Sequence, residues 1–289
     1  STCCSLARLA ESVVLLGPRR SLVGIRTPPT GPATREPGTV VVILNAGIIH
    51  RVGPNRLHVE LARAIAASGY PAVRFDLSGI GDSKPRTDTL PPLDAALADI
   101  REAIDSLSRE RGATRFVLLG LCSGANHSII SASTDERIAA VGLIDPYIPR
   151  TRRYYFNHYF GRMGRAQSWR NFFRGEHPVW HWLKGRLALR RADASESSTA
   201  SGPSEREVRS FLARAYGDAA KRGVKIFAAF TADLEAQHNY REQIVEAFPE
   251  IPLAPVLQLH YFTQADHTFS SSRERLVLIE MLVKWIAQV

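Results

Sequence analysis

Five residues near the middle of the chain, Gly120-Leu121-Cys122-Ser123-Gly124, constrain its folding more than any other stretch. They follow an apolar run, Phe116 to Leu121, and precede a plausible helix. A strand that turns straight into a helix forces the central residue into a strained backbone conformation. Side chains on the flanking positions would collide with neighbouring backbone, so both flanks are glycine. Such a turn lifts the Cys122 thiol clear of a sheet and aims the Ser123 N–H at the same spot. The pattern therefore predicts a nucleophile, with Ser123 as a weaker rival whose side chain should point along the helix start.

The rest of the sequence supplies the sheet such a turn requires. Short apolar runs alternate with segments of helical period, the mark of a mostly parallel sheet with helices on both faces. Strands are expected at Val13 to Leu16, Ser21 to Ile25, Val40 to Leu44, Ala72 to Leu77, Phe116 to Leu121, Ala139 to Ile144, Lys225 to Phe230 and Val256 to Phe262. Leu57, Leu61 and Ile65, then Leu93, Leu97, Ile100 and Ile104, and finally Leu276, Ile279, Val283 and Ile286 recur at helical spacing. A helix is also expected near Arg241 to Phe248.

Charge marks where this order is interrupted. The chain of 289 residues carries a formal +9, yet the window from Arg150 to Arg191 alone holds ten Arg and one Lys against Glu176. The remainder is close to neutral. A local basic insert is not the pattern of a nucleic-acid binder, and no DNA- or RNA-binding motif accompanies it. The same window is rich in aromatics, and a Ser/Ala-rich stretch from Ala192 to Ser204 closes it. Residues 150–204 are accordingly expected to form an insert in a core made of residues 1–149 and 205–289. Arg150, Arg152, Arg153, Tyr154 and Tyr155 are candidate substrate-binding residues, because forked guanidinium groups suit phosphates and carboxylates. Contact of the insert with a membrane surface is a further expectation. His177 and His181 lack the following Glu of a zinc helix. Three cysteines without a CxxC pair suggest neither a disulfide scaffold nor a metal, and no cofactor is expected. The N-terminal segment lacks the long apolar stretch of a secretory signal, which points to the cytoplasm.

Two more segments complete a reactive set. Asp266-His267 follows the last expected strand, and Asp233 follows the strand at Lys225 to Phe230. The chain order is then nucleophile, acid, histidine. His267 would take the thiol proton, and Asp233 would orient the ring and stabilise its cation, with Glu235 and Asp145 as reserve acids. After the strand Val40 to Leu44, Asn45-Ala46-Gly47 stands where a second oxyanion donor is needed. Ala46 and Gly47, with Ser123, are the candidates.

Taken together, Leu44 to Gly47, Asp76 to Ser83, the turn at Cys122, Asp233 and Asp266 to Phe269 resemble the α/β-hydrolase superfamily over nearly the whole chain. Arg51 to Arg56 with Gly120 to Cys122 look like a serine-aminopeptidase-like branch. Some members of that branch accompany exopolysaccharide or exosortase gene clusters, and some carry Cys in the turn. The resemblance implies the α/β-hydrolase fold, a lid between the sixth and seventh core strands, and triad roles. Two positions depart from the family pattern: Cys122 replaces the usual Ser, and Asn45 replaces the usual His. The stretch Gly79 to Ser83 is taken as structural and not as a phosphate loop.

A thiolate changes the chemistry. It attacks activated acyl groups readily and forms a thioester intermediate, which favours esters and thioesters over amides. The sequence thus points to a Cys-dependent hydrolase of activated esters or thioesters, its substrate a small acyl compound, free or linked to coenzyme A or a carrier protein. An acyltransferase on the same residues is the alternative. A non-catalytic scaffold binding an acidic partner through the basic insert is a third.

Overall fold

The strand-helix alternation is realised as one eight-stranded sheet. A computed structural model describes residues 11–30, 38–163 and 204–289 of the chain. Its strands are β1 (Ser12–Leu16), β2 (Leu22–Thr27), β3 (Thr39–Leu44), β4 (Ala72–Phe75), β5 (Arg115–Leu121), β6 (Ile138–Ile144), β7 (Lys225–Thr231) and β8 (Leu257–Phe262). Their spatial order is β1-β2-β4-β3-β5-β6-β7-β8. β1 and β2 form an antiparallel hairpin, β2 pairs antiparallel with β4, and all other pairings are parallel.

Helices cover both faces, so the inner strands are apolar throughout rather than alternating. β3 and β6 show the result, with all six residues of β3 buried and six of the seven in β6. Val40, Val42 and Leu44 share one core with α2 (Pro92–Arg111), α3 (Ser123–Thr134) and α5 (Glu205–Lys221). Val41 and Ile43 share the other with α1 (Leu57–Ala67) and α7 (Ser272–Ile286). Between β6 and β7 runs α4 (Arg152–Met163), and between β7 and β8 the short α6 (Gln243–Ala247). Residues 164–203 of the expected lid, including its tryptophans and His177 and His181, lie outside the described residues.

The fourth strand ends at Phe75, two residues short of the expectation. Beyond it the Asp76 N–H still donates to the Val23 carbonyl of β2 at 3.0 Å, while its carboxylate accepts from the Arg51 N–H at 2.6 Å and the Leu77 N–H donates to Asn45 Oδ1 at 2.8 Å, both in the loop after β3. Among the described residues no helix is long and apolar enough to cross a membrane.

Register fixes where the chemistry can sit. Leu44 pairs with Gly120, and Leu121 with Ile144, so β3, β5 and β6 end side by side. The residues that follow, Asn45, Cys122 and Asp145, therefore emerge together at the carboxyl edge of the sheet, where open α/β sheets place their ligands.

Candidate active site

Cys122 adopts φ 56° and ψ −119° between the end of β5 and the start of α3. That left-handed conformation is strained for a residue with a Cβ. It is held because β5 and α3 approach closely on both sides. A Cβ on Gly120 would lie 2.1 Å from the Gly124 carbonyl carbon, and one on Gly124 would lie 2.4 Å from the Asn45 oxygen. The flanking glycines are thus required by backbone contact, as the turn pattern predicts.

The thiol is half-buried, and the His267 ring reaches it from the loop after β8. A hydrogen bond from His267 lowers the Cys122 pKa, against the opposing push of burial, and the Ser123 N–H adds to the lowering. His267 Nδ1 lies 2.9 Å from Asp145 Oδ2, which leaves Nε2 for the sulfur. The Asp145 hydrogen bond, followed by that to Cys122, raises His267 to about 10 despite partial burial. Both shifts favour a thiolate beside an imidazolium.

The carboxylate against the His267 ring is Asp145, whereas Asp233, the acid expected there from the sequence, meets only the His267 main chain. Asp145 follows β6, the strand next to β5, and is 1% exposed. Burial alone would raise its pKa, but the adjacent His238 ring and hydrogen bonds with His267 and Thr231 hold it below the usual carboxylate range. Thr231 at the end of β7 donates its N–H to Oδ1 and its hydroxyl to Oδ2, each at 2.7 Å. Nε2 of His238, a histidine the sequence does not single out, lies 3.3 Å from Oδ1 and is fully buried. Asp233 is exposed on the turn Ala232–Leu234 and accepts from the His267 main-chain N–H at 3.3 Å. It touches the backbone of the base, not the ring. Glu235 is exposed one turn further on. Both Asp145 and Asp233 satisfy the order nucleophile, acid, histidine, so order does not discriminate between them. The deciding signal is that Asp145 directly ends a wholly apolar strand adjacent to the nucleophile's own.

Asp266 holds its loop. It accepts from the Thr268 N–H and hydroxyl and from Ser270, and these bonds, Ser270 first, bring it down to about 2.

The loop after β3 closes the site. Asn45 Nδ2 donates to the Ile49 carbonyl at 2.7 Å and to Asp76 at 3.2 Å, while Asn45 Oδ1 accepts from Leu77. Asn45 thus ties the loop to the end of β4. Ala46 is buried beneath the loop and Gly47 is exposed above it. The Gly47 N–H donates to the Ser123 hydroxyl at 2.7 Å, so Ser123 turns toward the loop while the His267 ring serves Cys122. Gly81, in the stretch taken as structural, has a φ of 53°, and a Cβ there would lie 2.3 Å from Asp76 Oδ2.

The basic candidates differ in role. Tyr154 is 3% exposed, and its hydroxyl donates to the Ala236 carbonyl, so it packs α4 onto the core rather than facing a ligand. Arg150 donates to the same carbonyl and sits over the Tyr154 ring. Arg153 pairs with Glu246 at 2.9 Å and lies over the Tyr240 ring. Arg152 and Tyr155 are exposed.

The fold thus brings Cys122, on a strand-helix turn, together with His267 and Asp145 at the carboxyl edge of the sheet. The chain belongs to the alpha/beta hydrolase family, whose model matches residues 41–282, and by that membership it is a hydrolase. No curated protein sequence matches it. Among solved structures it is similar to an esterase of Pyrococcus furiosus, at TM-score 0.57 and 12% identity over 96% of this chain and 89% of that one. It is also similar to a meta-cleavage product hydrolase of Pseudomonas fluorescens, at TM-score 0.56 and 16% identity over 96% and 97% of the two chains. A third is the proline iminopeptidase of Mycobacterium smegmatis, at TM-score 0.53 and 15% identity over 95% and 98%. At these identities the likeness is one of fold.

Proposed function

We propose that the protein is a Cys-dependent hydrolase of activated esters or thioesters, with Cys122 as nucleophile, His267 as base and Asp145 as orienting acid. The observation that carries it is the line of hydrogen bonds from Asp145 through His267 to Cys122 at the carboxyl edge of the sheet.

The steps balance on these groups alone. The Cys122 sulfur attacks the acyl carbon, a C–S bond forms, and the carbonyl electrons move onto oxygen. Collapse expels the alcohol or thiol, which leaves with the proton held by His267 Nε2. Water then attacks the thioester as His267 takes its proton. The carboxylic acid departs and the thiolate is restored. Asp145 keeps the ring in one tautomer and stabilises its cationic form without itself taking the proton. The α3 N-terminus at Ser123 adds a partial positive charge beside the sulfur.

Two surface features support an acyl substrate with an anionic handle. Ile48 is 90% exposed beside Gly47 and offers apolar contact to an acyl chain. Four arginines, Arg150, Arg206, Arg209 and Arg214, outnumber Glu205 and Glu250 in the lining of an open hollow of about 800 Å3 between α4 and α5. Guanidinium groups there suit the phosphates of a coenzyme A or carrier-linked thioester. Within the family we place the chain with the serine-aminopeptidase-like branch that carries Cys in the turn, acting in the cytoplasm.

Stopped-flow hydrolysis of p-nitrophenyl acetate tests the proposal. A burst of about one nitrophenolate per chain is expected and should vanish in Cys122→Ala. Undiminished turnover in that variant would rule out the thiol mechanism.

A further inference from the structure

The Ser123 hydroxyl, one residue on from Cys122, meets the loop that should stabilise the developing oxyanion. The Gly47 N–H, one of the donors expected for that purpose, is already engaged by Ser123 Oγ at 2.7 Å. Ser123 is also the first residue of α3, where its side chain has no capping duty, since the N-cap position is Cys122 itself. A hydroxyl that accepts a hydrogen bond still carries its own proton to give. Among the described residues no acceptor for that proton is recorded.

We propose that Ser123 contributes two donors to the oxyanion, its main-chain N–H and its side-chain hydroxyl, with the Gly47 N–H holding the hydroxyl in place. The proposal rests on Cys122 being the nucleophile. An amide N–H directed at Oγ polarises the O–H bond and makes it a better donor. The loop amide then acts through the hydroxyl. No proton is transferred. As the C–S bond forms and charge collects on the carbonyl oxygen, the O–H and N–H of Ser123 both point at it. Preorganised donors of this kind act only where charge develops, so their loss appears in the chemical step and not in substrate binding.

The opposite role is equally definite. If the hydroxyl only occupies the Gly47 N–H, removing it frees that donor and speeds the reaction. Burst kinetics on the full chain separate the two. Wild type and Cys122→Ala are compared first, which settles the nucleophile independently. Ser123→Ala should then acylate about 100-fold more slowly with KM changed by less than about twofold, the loss expected for one oxyanion donor. Ser123→Thr, which keeps the hydroxyl, should recover most of the rate. Alkylation of Cys122 by iodoacetamide develops no oxyanion, so its rate should be the same in Ser123→Ala as in wild type. Acylation in Ser123→Ala as fast as wild type or faster overturns the proposal. So does a fall in alkylation that matches the fall in acylation, because the thiol itself would then have been disturbed.

Discussion

His267 and Asp145 meet through Nδ1 and Oδ2 at 2.9 Å, although 122 positions separate them in the chain. Asp145 is buried at the end of β6, and Thr231 fixes both of its oxygens. The geometry makes this carboxylate the partner of the base. Asp145→Asn should lower kcat about a thousandfold by losing the correct ring tautomer, as expected for a triad acid. Asp233→Asn, which touches only the His267 backbone, should stay within about threefold of wild type. Steady-state kinetics of the two purified variants, with circular dichroism to verify folding, check both outcomes.

The shifts at Cys122 and His267 have opposite signs, and both favour the ion pair. The thiol is lowered, so the thiolate appears below the ordinary thiol range. The imidazole is raised to about 10, so its cation persists to alkaline pH. The pair is populated between these limits and is lost as pH falls through the thiol value or rises past about 10. Iodoacetamide alkylation of Cys122 should accordingly reach half its plateau below about pH 8.5, the ordinary thiol value. In His267→Ala the midpoint should move back up toward that value. An unmoved midpoint would mean that the ring does not govern the thiol.

Backbone contact around the turn gives a stability prediction. Gly124→Ala would place its Cβ 2.4 Å from the Asn45 carbonyl oxygen, a main-chain atom that cannot swing aside. The variant should lose about 3 kcal/mol, the upper range for overpacking a close contact, measured from urea unfolding midpoints. Gly112→Ala serves as the comparison, since a Cβ there meets nothing within 4 Å and only the positive φ of 66° is strained. Its loss should be smaller, about 1 kcal/mol.

Much of this was legible in the sequence because it depends on local chemistry. The turn at Cys122 is written in its two glycines, and the strands of the core in runs such as Val40 to Leu44, apolar because helices cover both faces. His267 is legible from its place after the last strand. The acid was harder, since Asp145 and Asp233 both follow strands in the required order, and what favours Asp145 is that it comes directly at the end of β6, the strand paired with β5. His238 lies beyond sequence reasoning for a similar reason. It belongs to no motif, and its closeness to Asp145 exists only once the β7–β8 connection folds back over the strand ends. The burial of Tyr154 is not legible either, because a helix of basic and aromatic residues does not reveal which face it buries.

Asn45 shows what the departure from the usual histidine accomplishes. It is 1% exposed and joins the Ile49 carbonyl, Asp76 and the Leu77 N–H. Asn45→Ala strands a buried N–H and should cost about 2 kcal/mol of stability. Because the same loop carries Gly47, the variant should also acylate more slowly than the stability loss explains. Urea unfolding and burst rates on one preparation distinguish the two effects. An acylation rate equal to wild type would detach the loop from catalysis.

In the proposed mechanism Cys122 carries the acyl group. Intact-mass spectrometry after brief exposure to acetyl-coenzyme A or p-nitrophenyl acetate at mildly acidic pH, followed by peptide mapping, tests this most directly. The expected result is a single acetyl added to the peptide containing Cys122, removed by hydroxylamine and absent in Cys122→Ala. Acetyl found on Ser123 instead, or a chain that turns over substrate with Cys122 unmodified, would contradict it.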